Sequence, residues 1–286
     1  VTLLAVPNFS DGRDERVIRA IARALTAGSG ATLLDTHSDP DHNRTVYTLT
    51  GTAQQLSDSL LAGARAAVAH IDMRTYAGAH PHVGALDVAP FVHTEPAQRG
   101  LAAAAALSTA DRLAEELGIP VFLYGSLTAH RVSRAAVRRG GPSSLASRIA
   151  ANDATPDFGP HALHGRAGAT LVAARPPLVA FNIELAAPAT HEDARAIAAL
   201  IREGGAEGLP GVRAIGIELS GAVAQVSTNL EDPDRTRPAA VLTAIARHAP
   251  VAAAELVGLP LARHFADFPD DVPVKYRRML EEALPS

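Results

Sequence analysis

Apolar positions along this chain follow two periodicities, and the switches between them mark out its elements. Leu3–Val6 is a short continuous apolar run closed by Pro7, Asn8 and Gly12, which predicts a buried strand. Val17, Ile18, Ile21 and Leu25 recur at helical spacing, predicting a helix over Asp14–Ala27 that stops at Gly28 and Gly30. Thr32–Thr36 and Thr45–Thr50 read as strands joined through the turn-rich Asp39-Pro40-Asp41. Thr52-Ala53-Gln54-Gln55 has the form of a capping box and opens a helix reaching about Ile71. With Leu86–Val92 as a further strand, the order is β-α-β-β-α-β.

That order recurs near the C-terminus. Leu178–Leu185 reads as a strand, Thr190-His191-Glu192-Asp193 caps a helix that stops at Gly204-Gly205, and Val212–Leu219 with Val223–Asn229 forms a hairpin around Ser220-Gly221. A helix over Thr236–His248 and a strand over Ala253–Val257 complete it. Two such units predict an α/β chain of two sandwiches, each an open sheet with helices on one face. Between them lie a helix over Pro96–Leu117, a strand Val121–Tyr124 and a region from Gly125 to Gly168, rich in Gly, Pro, Ser and Arg, that reads as irregular and either functional or disordered. The boundary between units is expected near Arg175-Pro176-Pro177, and Pro269–Ser286 reads as an extended stretch with a short terminal helix.

Composition narrows the chemistry. The 286 residues are 47% apolar but only 4% aromatic, so Ala, Leu, Val and Ile must build the core. A formal charge of −4 argues against nucleic-acid binding, and the absence of cysteine excludes disulfides, thiolate metal sites and a thiol nucleophile. No apolar stretch has membrane-spanning length, and a cytoplasmic location is the expectation.

The most informative segment is Ile71 to Val88, where Gly78, Pro81 and Gly84 interrupt regular structure between a helix and a strand. Pro81 biases His80 towards an extended backbone, and an imidazole on such a loop can accept and donate protons near neutrality. His80 and His82 also have His-x-His spacing with Asp87 close in sequence, which allows a metal site but supplies no clear further ligands.

Taken with Val6-Pro7-Asn8-Phe9-Ser10, Asn43-Arg44-Thr45-Val46-Tyr47-Thr48, Gly84-Ala85-Leu86-Asp87-Val88, Pro156-Asp157-Phe158-Gly159-Pro160 and Gln225-Val226-Ser227-Thr228-Asn229-Leu230, this segment closely resembles the formiminotransferase family. The resemblance runs from Val6 to about Pro260. It implies two ferredoxin-like βαββαβ subdomains, residues 1–176 and 177–286, with a substrate channel between them, commonly as a homodimer and without a cyclodeaminase domain. The implied activity is formimidoyl transfer between an N-formimidoyl amino acid, glutamate foremost, and N5 of tetrahydrofolate as co-substrate, within one-carbon and histidine metabolism. His80 falls on the family's catalytic histidine. The folate-binding stretch falls on Gly159, Pro160, His161, Ala162, Leu163, His164, Gly165, Arg166, Ala167 and Gly168. Asn8, His37, Arg44, His82 and Arg175 complete the expected substrate-binding set, with no metal.

The chain also departs from the family pattern. His82 stands where the family usually has arginine, Ala79 replaces an acid, Tyr76 a histidine, His37 a second acid and Ala167 an aromatic; Arg138-Arg139-Gly140-Gly141-Pro142-Ser143 replaces an acid-bearing motif. These changes surround a retained His80 and raise the expectation of an amine partner other than glutamate. Two other readings stay open: a metal-dependent hydrolase of an amidine or formyl amide built on His80 and His82, and a folate-binding homologue without turnover.

Overall fold

The computed structural model describes residues 2–78, 81–130 and 132–284. It is a mixed α/β chain of two compact units, Val1–Pro176 and Pro177–Ser286.

In the first unit, β1 (Leu3–Ala5), β2 (Asn8–Phe9), β3 (Thr32–Asp39), β4 (Arg44–Gly51), β5 (Leu86–Val92), β6 (Val121–Leu123) and β7 (Thr170–Arg175) share one sheet. β1 and β2 are two halves of one broken strand, since both lie antiparallel between β4 and β5. The break falls at Val6-Pro7 because Pro7 has no N–H to give the ladder. Its carbonyl still accepts from the Tyr47 N–H at 3.0 Å, and the Val6 N–H reaches the Pro90 carbonyl at 3.2 Å. β3 flanks β4, while β7 lies parallel between β5 and β6.

Three long helices, α1 (Glu15–Thr26), α2 (Ala53–His70) and α3 (Arg99–Leu117), cover one face. Asp14 caps α1 by accepting from the Arg16 N–H, and the predicted Thr52–Gln55 capping box opens α2. Their apolar stripes pack Ile21, Leu25, Leu56, Leu60 and Leu113 with Phe9, Tyr47, Leu49 and Phe91 of the sheet.

The expectation of helices on one face only is corrected here. The supposedly irregular region holds α4 (Arg134–Arg138) and α5 (Gly141–Ala150), whose Val137, Leu145 and Ile149 pack on the opposite face against Val88, Phe122, Leu171 and Ala173. β5, β7 and β6 are parallel neighbours, and parallel strands are stable when both faces are buried.

The second unit contains β8 (Val179–Leu185), α6 (His191–Ile201), β9 (Val212–Leu219), β10 (Val223–Leu230), α7 (Pro238–Ala246), β11 (Val251–Val257), β12 (Val274–Lys275) and α8 (Leu280–Ala283). Thr190 and Asp193 cap α6 reciprocally, and α7 starts with Pro238, which has no N–H to leave orphaned in the first turn. The sheet order is β12-β11-β8-β10-β9. In both βαββαβ units the strands therefore lie fourth, first, third, second across the sheet. Among the described residues no helix is long and apolar enough to cross a membrane.

Candidate active site

Directly paired residues in a sheet share a face, so the register shows which side chains converge. At the level of His37 the row reads His37, Val46, Asn8, Val88, Leu171, Phe122 across β3, β4, β2, β5, β7 and β6. α4 and α5 pack over the Val88–Phe122 part of this row. Around Val46, the rest of the same face carries polar groups: Asp35, His37 and Asp39 of β3, Arg44 and Thr48 of β4, and Asn8. The Thr48 hydroxyl is buried there with no hydrogen-bond partner among the described residues.

β3 runs on to Asp39, past the predicted end at Thr36, which places Asp39 on this face, and the turn that follows brings back His42. Asp39 Oδ2 lies 2.7 Å from Nδ1 of the fully buried His42, while Oδ1 accepts the Asp41 and His42 N–H groups at 2.9 Å each. Burial pushes the Asp39 carboxyl up, but the His42 side-chain hydrogen bond, its charge and its backbone N–H outweigh this and hold it at about 2. Burial lowers the pKa of His37, and the nearby Arg44 charge lowers it further, so its imidazole is neutral at pH 7.

Residues 72–78 and 82–84 are fastened beside this polar face. Arg74 pairs with Asp72, and the Ala77 carbonyl accepts from Asn43 Nδ2 at 2.9 Å and from Arg13 Nη1 at 3.2 Å. The Tyr76 hydroxyl donates to the Asn43 carbonyl at 2.6 Å, and its ring meets that of His82 edge-on with centroids 4.1 Å apart. Burial, with the Asp87 charge, raises the Tyr76 phenol to about 12, so it remains a donor. On the far side, Asp87 accepts the Val83 N–H at 2.8 Å and forms a buried ion pair with Arg138 of α4. His80 itself, and Ala79, lie outside the described residues.

The folate-matching stretch divides in two. Its second half is stitched to the His80-bearing segment: the Arg166 carbonyl accepts the Met73 N–H, the Ala167 carbonyl the Ala85 N–H, and Gly84 bridges Gly168. His164 and Gly168 exchange backbone hydrogen bonds at 2.9 Å, and His164 Nδ1 accepts the N–H groups of Arg166 and Ala167 at 3.2 and 3.0 Å. The Ala167 methyl points into the helix-side core. Gly159 packs near Ala114 and Ile119 at the end of α3, Pro160, His161, Ala162 and Gly165 are exposed, and Leu163 packs against the α4–α5 cluster.

Arg175 shares the polar face but stands four residues along β7 from Leu171, roughly 13 Å away at about 3.3 Å per residue. The sheet therefore does not bring it to Asn8 and His37. Among the described residues no three His, Asp or Glu side chains gather as a metal site.

A family model described as the formiminotransferase domain, N-terminal subdomain, matches residues 2–175. The formimidoyltransferase-cyclodeaminase of Sus scrofa is 43% identical over 267 residues, covering 89% of this chain and 49% of that protein. The glutamate formimidoyltransferase of Streptococcus pyogenes serotype M1 is 37% identical over 228 residues, 79% of this chain and 76% of that one. That of Thermoplasma acidophilum is 38% identical over 185 residues, 63% and 60% of the two chains. The chain thus spans about half the length of the cyclodeaminase relatives it matches. It belongs to the formiminotransferase family.

Proposed function

We propose that this chain is a transferase that moves a formimidoyl group between N-formimidoylglutamate and N5 of tetrahydrofolate, with His80 as general acid and base. The observation that carries this reading is its similarity to a glutamate formimidoyltransferase across more than three-quarters of both chains. The shared strand order supports reading each unit as ferredoxin-like, and the two units as the family's N-terminal and C-terminal subdomains. Homodimeric assembly and a cytoplasmic location rest on the family resemblance.

In this mechanism the folate N5 lone pair attacks the formimidoyl carbon. The tetrahedral adduct loses the N5 proton, and the glutamate nitrogen gains one as its bond to that carbon breaks. One imidazole can perform both transfers, contributing about 10²–10⁴ in rate. Arg44 brings a planar guanidinium suited to a substrate carboxylate to this face, and neutral His37 brings an uncharged polar ring. Buried Thr48 Oγ1 is a further polar group on this face for a substrate to engage.

The test is transfer from N-formimidoylglutamate to tetrahydrofolate by the purified chain. His80→Ala is expected to lower kcat by about 10²–10⁴ while folate Kd moves less than about threefold. His82→Ala is expected to act less strongly and mainly on the KM of the donor. Absence of transfer by the unaltered chain, with glutamate or any other formimidoyl amine, overturns the activity. Transfer only with another amine overturns glutamate as the partner.

A further inference from the structure

Side chains rather than backbone pairing place the chain on either side of His80. Among the described residues no backbone-to-backbone hydrogen bond reaches residues 76–78, 81 or 82. Beyond His80 the segment has its own anchors: the Gly84 carbonyl accepts from the buried Ser10 hydroxyl at 2.7 Å, and Asp87 accepts the Val83 N–H. Before His80 it hangs on the turn between β3 and β4. Asn43 stands in that turn at φ 51°, the left-handed region that asparagine tolerates. Its side chain is committed at both ends, Oδ1 accepting the Gly12 N–H at 3.0 Å and Nδ2 donating to the Ala77 carbonyl. The His42 and Asn43 carbonyl oxygens both lie within reach of the Tyr76 hydroxyl, at 3.2 and 2.6 Å.

Tyr76 therefore touches the chain on both sides of His80. On one side, Gly78 packs so closely on the phenol that a Cβ there would stand 2.5 Å from Oη and 2.8 Å from the His42 carbonyl oxygen. On the other, the His82 ring meets the phenol ring edge-on, the planes inclined at 66°. Ring and hydroxyl form one rigid plate with two rotatable angles, so a single side chain spaces residues 78 and 82 from the 42–43 turn. That turn follows His37 and Asp39 on β3 and leads into Arg44 on β4.

Given formimidoyl transfer with His80 as the base, we propose that Tyr76 is a positioning residue of the reaction. Its hydroxyl sets how far the His80 segment stands from the polar face. Its ring sets the orientation of His82, and through His82 the binding of the donor.

The experiment is steady-state transfer from N-formimidoylglutamate to tetrahydrofolate by the full chain and by Tyr76→Phe, Tyr76→Leu, His82→Ala and the Tyr76→Leu/His82→Ala double variant. Calorimetric titration with tetrahydrofolate gives Kd and counts the folded sites to which kcat is referred. Tyr76→Phe keeps the ring and removes the tether, and is expected to lower kcat by about 10- to 100-fold. Its donor KM and folate Kd are expected to change by less than about threefold. Tyr76→Leu is expected to lower kcat as much and also to raise the donor KM by about three- to tenfold. The double variant is expected to match the donor KM of His82→Ala within about twofold, because the ring acts through His82. A purely structural anchor would lower the thermal midpoint and the number of folded sites while leaving kcat per site unchanged. That result in Tyr76→Phe overturns the assignment while the transfer reading stands. Independent, additive KM effects in the double variant overturn the route through His82. Failure of the unaltered chain to transfer from any formimidoyl amine overturns the transfer reading itself and this role with it.

Discussion

Replacing Arg138 by methionine tests whether α4 supports the site through charge. Arg138 and Asp87 have side chains only 9% and 3% exposed, so neither charge has water to fall back on. Asp87 also holds the Val83 N–H at 2.8 Å, which ties the carboxylate to the end of the His80-bearing segment. Methionine keeps much of the aliphatic stem and removes only the guanidinium. The expected loss is that of stranding a buried carboxylate, about 3–5 kcal/mol. Adding Asp87→Asn removes the stranded charge and keeps an acceptor for Val83, so the double variant is expected to regain about half or more of that loss. Urea unfolding followed by circular dichroism reads this directly: with m of about 2 kcal/mol/M, the single variant shifts the midpoint by roughly 1.5 M or more. A double variant no more stable than Arg138→Met, or a single variant within about 0.5 kcal/mol of the parent, refutes the reasoning.

Three further outcomes follow from the same region. The Asp39 carboxyl is held at about 2, below its unfolded value near 3.9, so its contribution is present above about pH 4 and lost as pH falls through about 2. Asp39→Asn is therefore expected to cost about 2 kcal/mol at pH 7 and to lose stability less steeply than the parent between pH 5 and 2; superimposable pH profiles would falsify the assignment. A Cβ at Gly84 would stand 1.9 Å from the Ala169 carbonyl oxygen and 2.8 Å from that of Ala167, parting the two stitched loops. Gly84→Ala should cost more than about 3 kcal/mol or abolish folding, whereas Gly100→Ala, with nothing within 4 Å, should be neutral or stabilising by up to about 1 kcal/mol. Because the proposed proton transfers use an imidazole alone, saturating chelator should leave transfer unchanged, and inactivation restored by one divalent metal would favour the hydrolase chemistry instead.

Most elements could be read from the chain because their signals are local. The α2 capping box, the β9–β10 hairpin around Gly221 and the β5 bounds need only neighbouring residues to specify them. β7 was less legible: Thr170–Arg175 is buried through its first five residues, so it shows no alternation and sits behind a loop rich in turn residues. α4 and α5 were hidden because they are short, and the partners that make them stable, Phe122 and Leu171, lie far away in sequence. In the site, Asn8, His37 and Arg44 share one face, whereas Asp39 and His42 do not stand out because the local pattern predicts a strand ending at Thr36. Continuing the alternation by one more residue pair beyond His37 would have placed Asp39 on that face. The Arg138–Asp87 pair joins residues 51 positions apart, which no local pattern encodes.

The position of β7 has a consequence for how the first unit is made. It is the last of seven strands to leave the ribosome, yet it lies between β5 and β6. Until residue 175 is synthesised, β5 carries an open edge, and β6 has only the Asp157–Phe158 segment on its other side. The nascent unit therefore holds a slot flanked by two hydrogen-bonding edges, which invites capture of a strand from another chain. A chain interrupted before Thr170 would lose the seam joining both halves of its sheet, and should accumulate as aggregate rather than as a smaller folded unit.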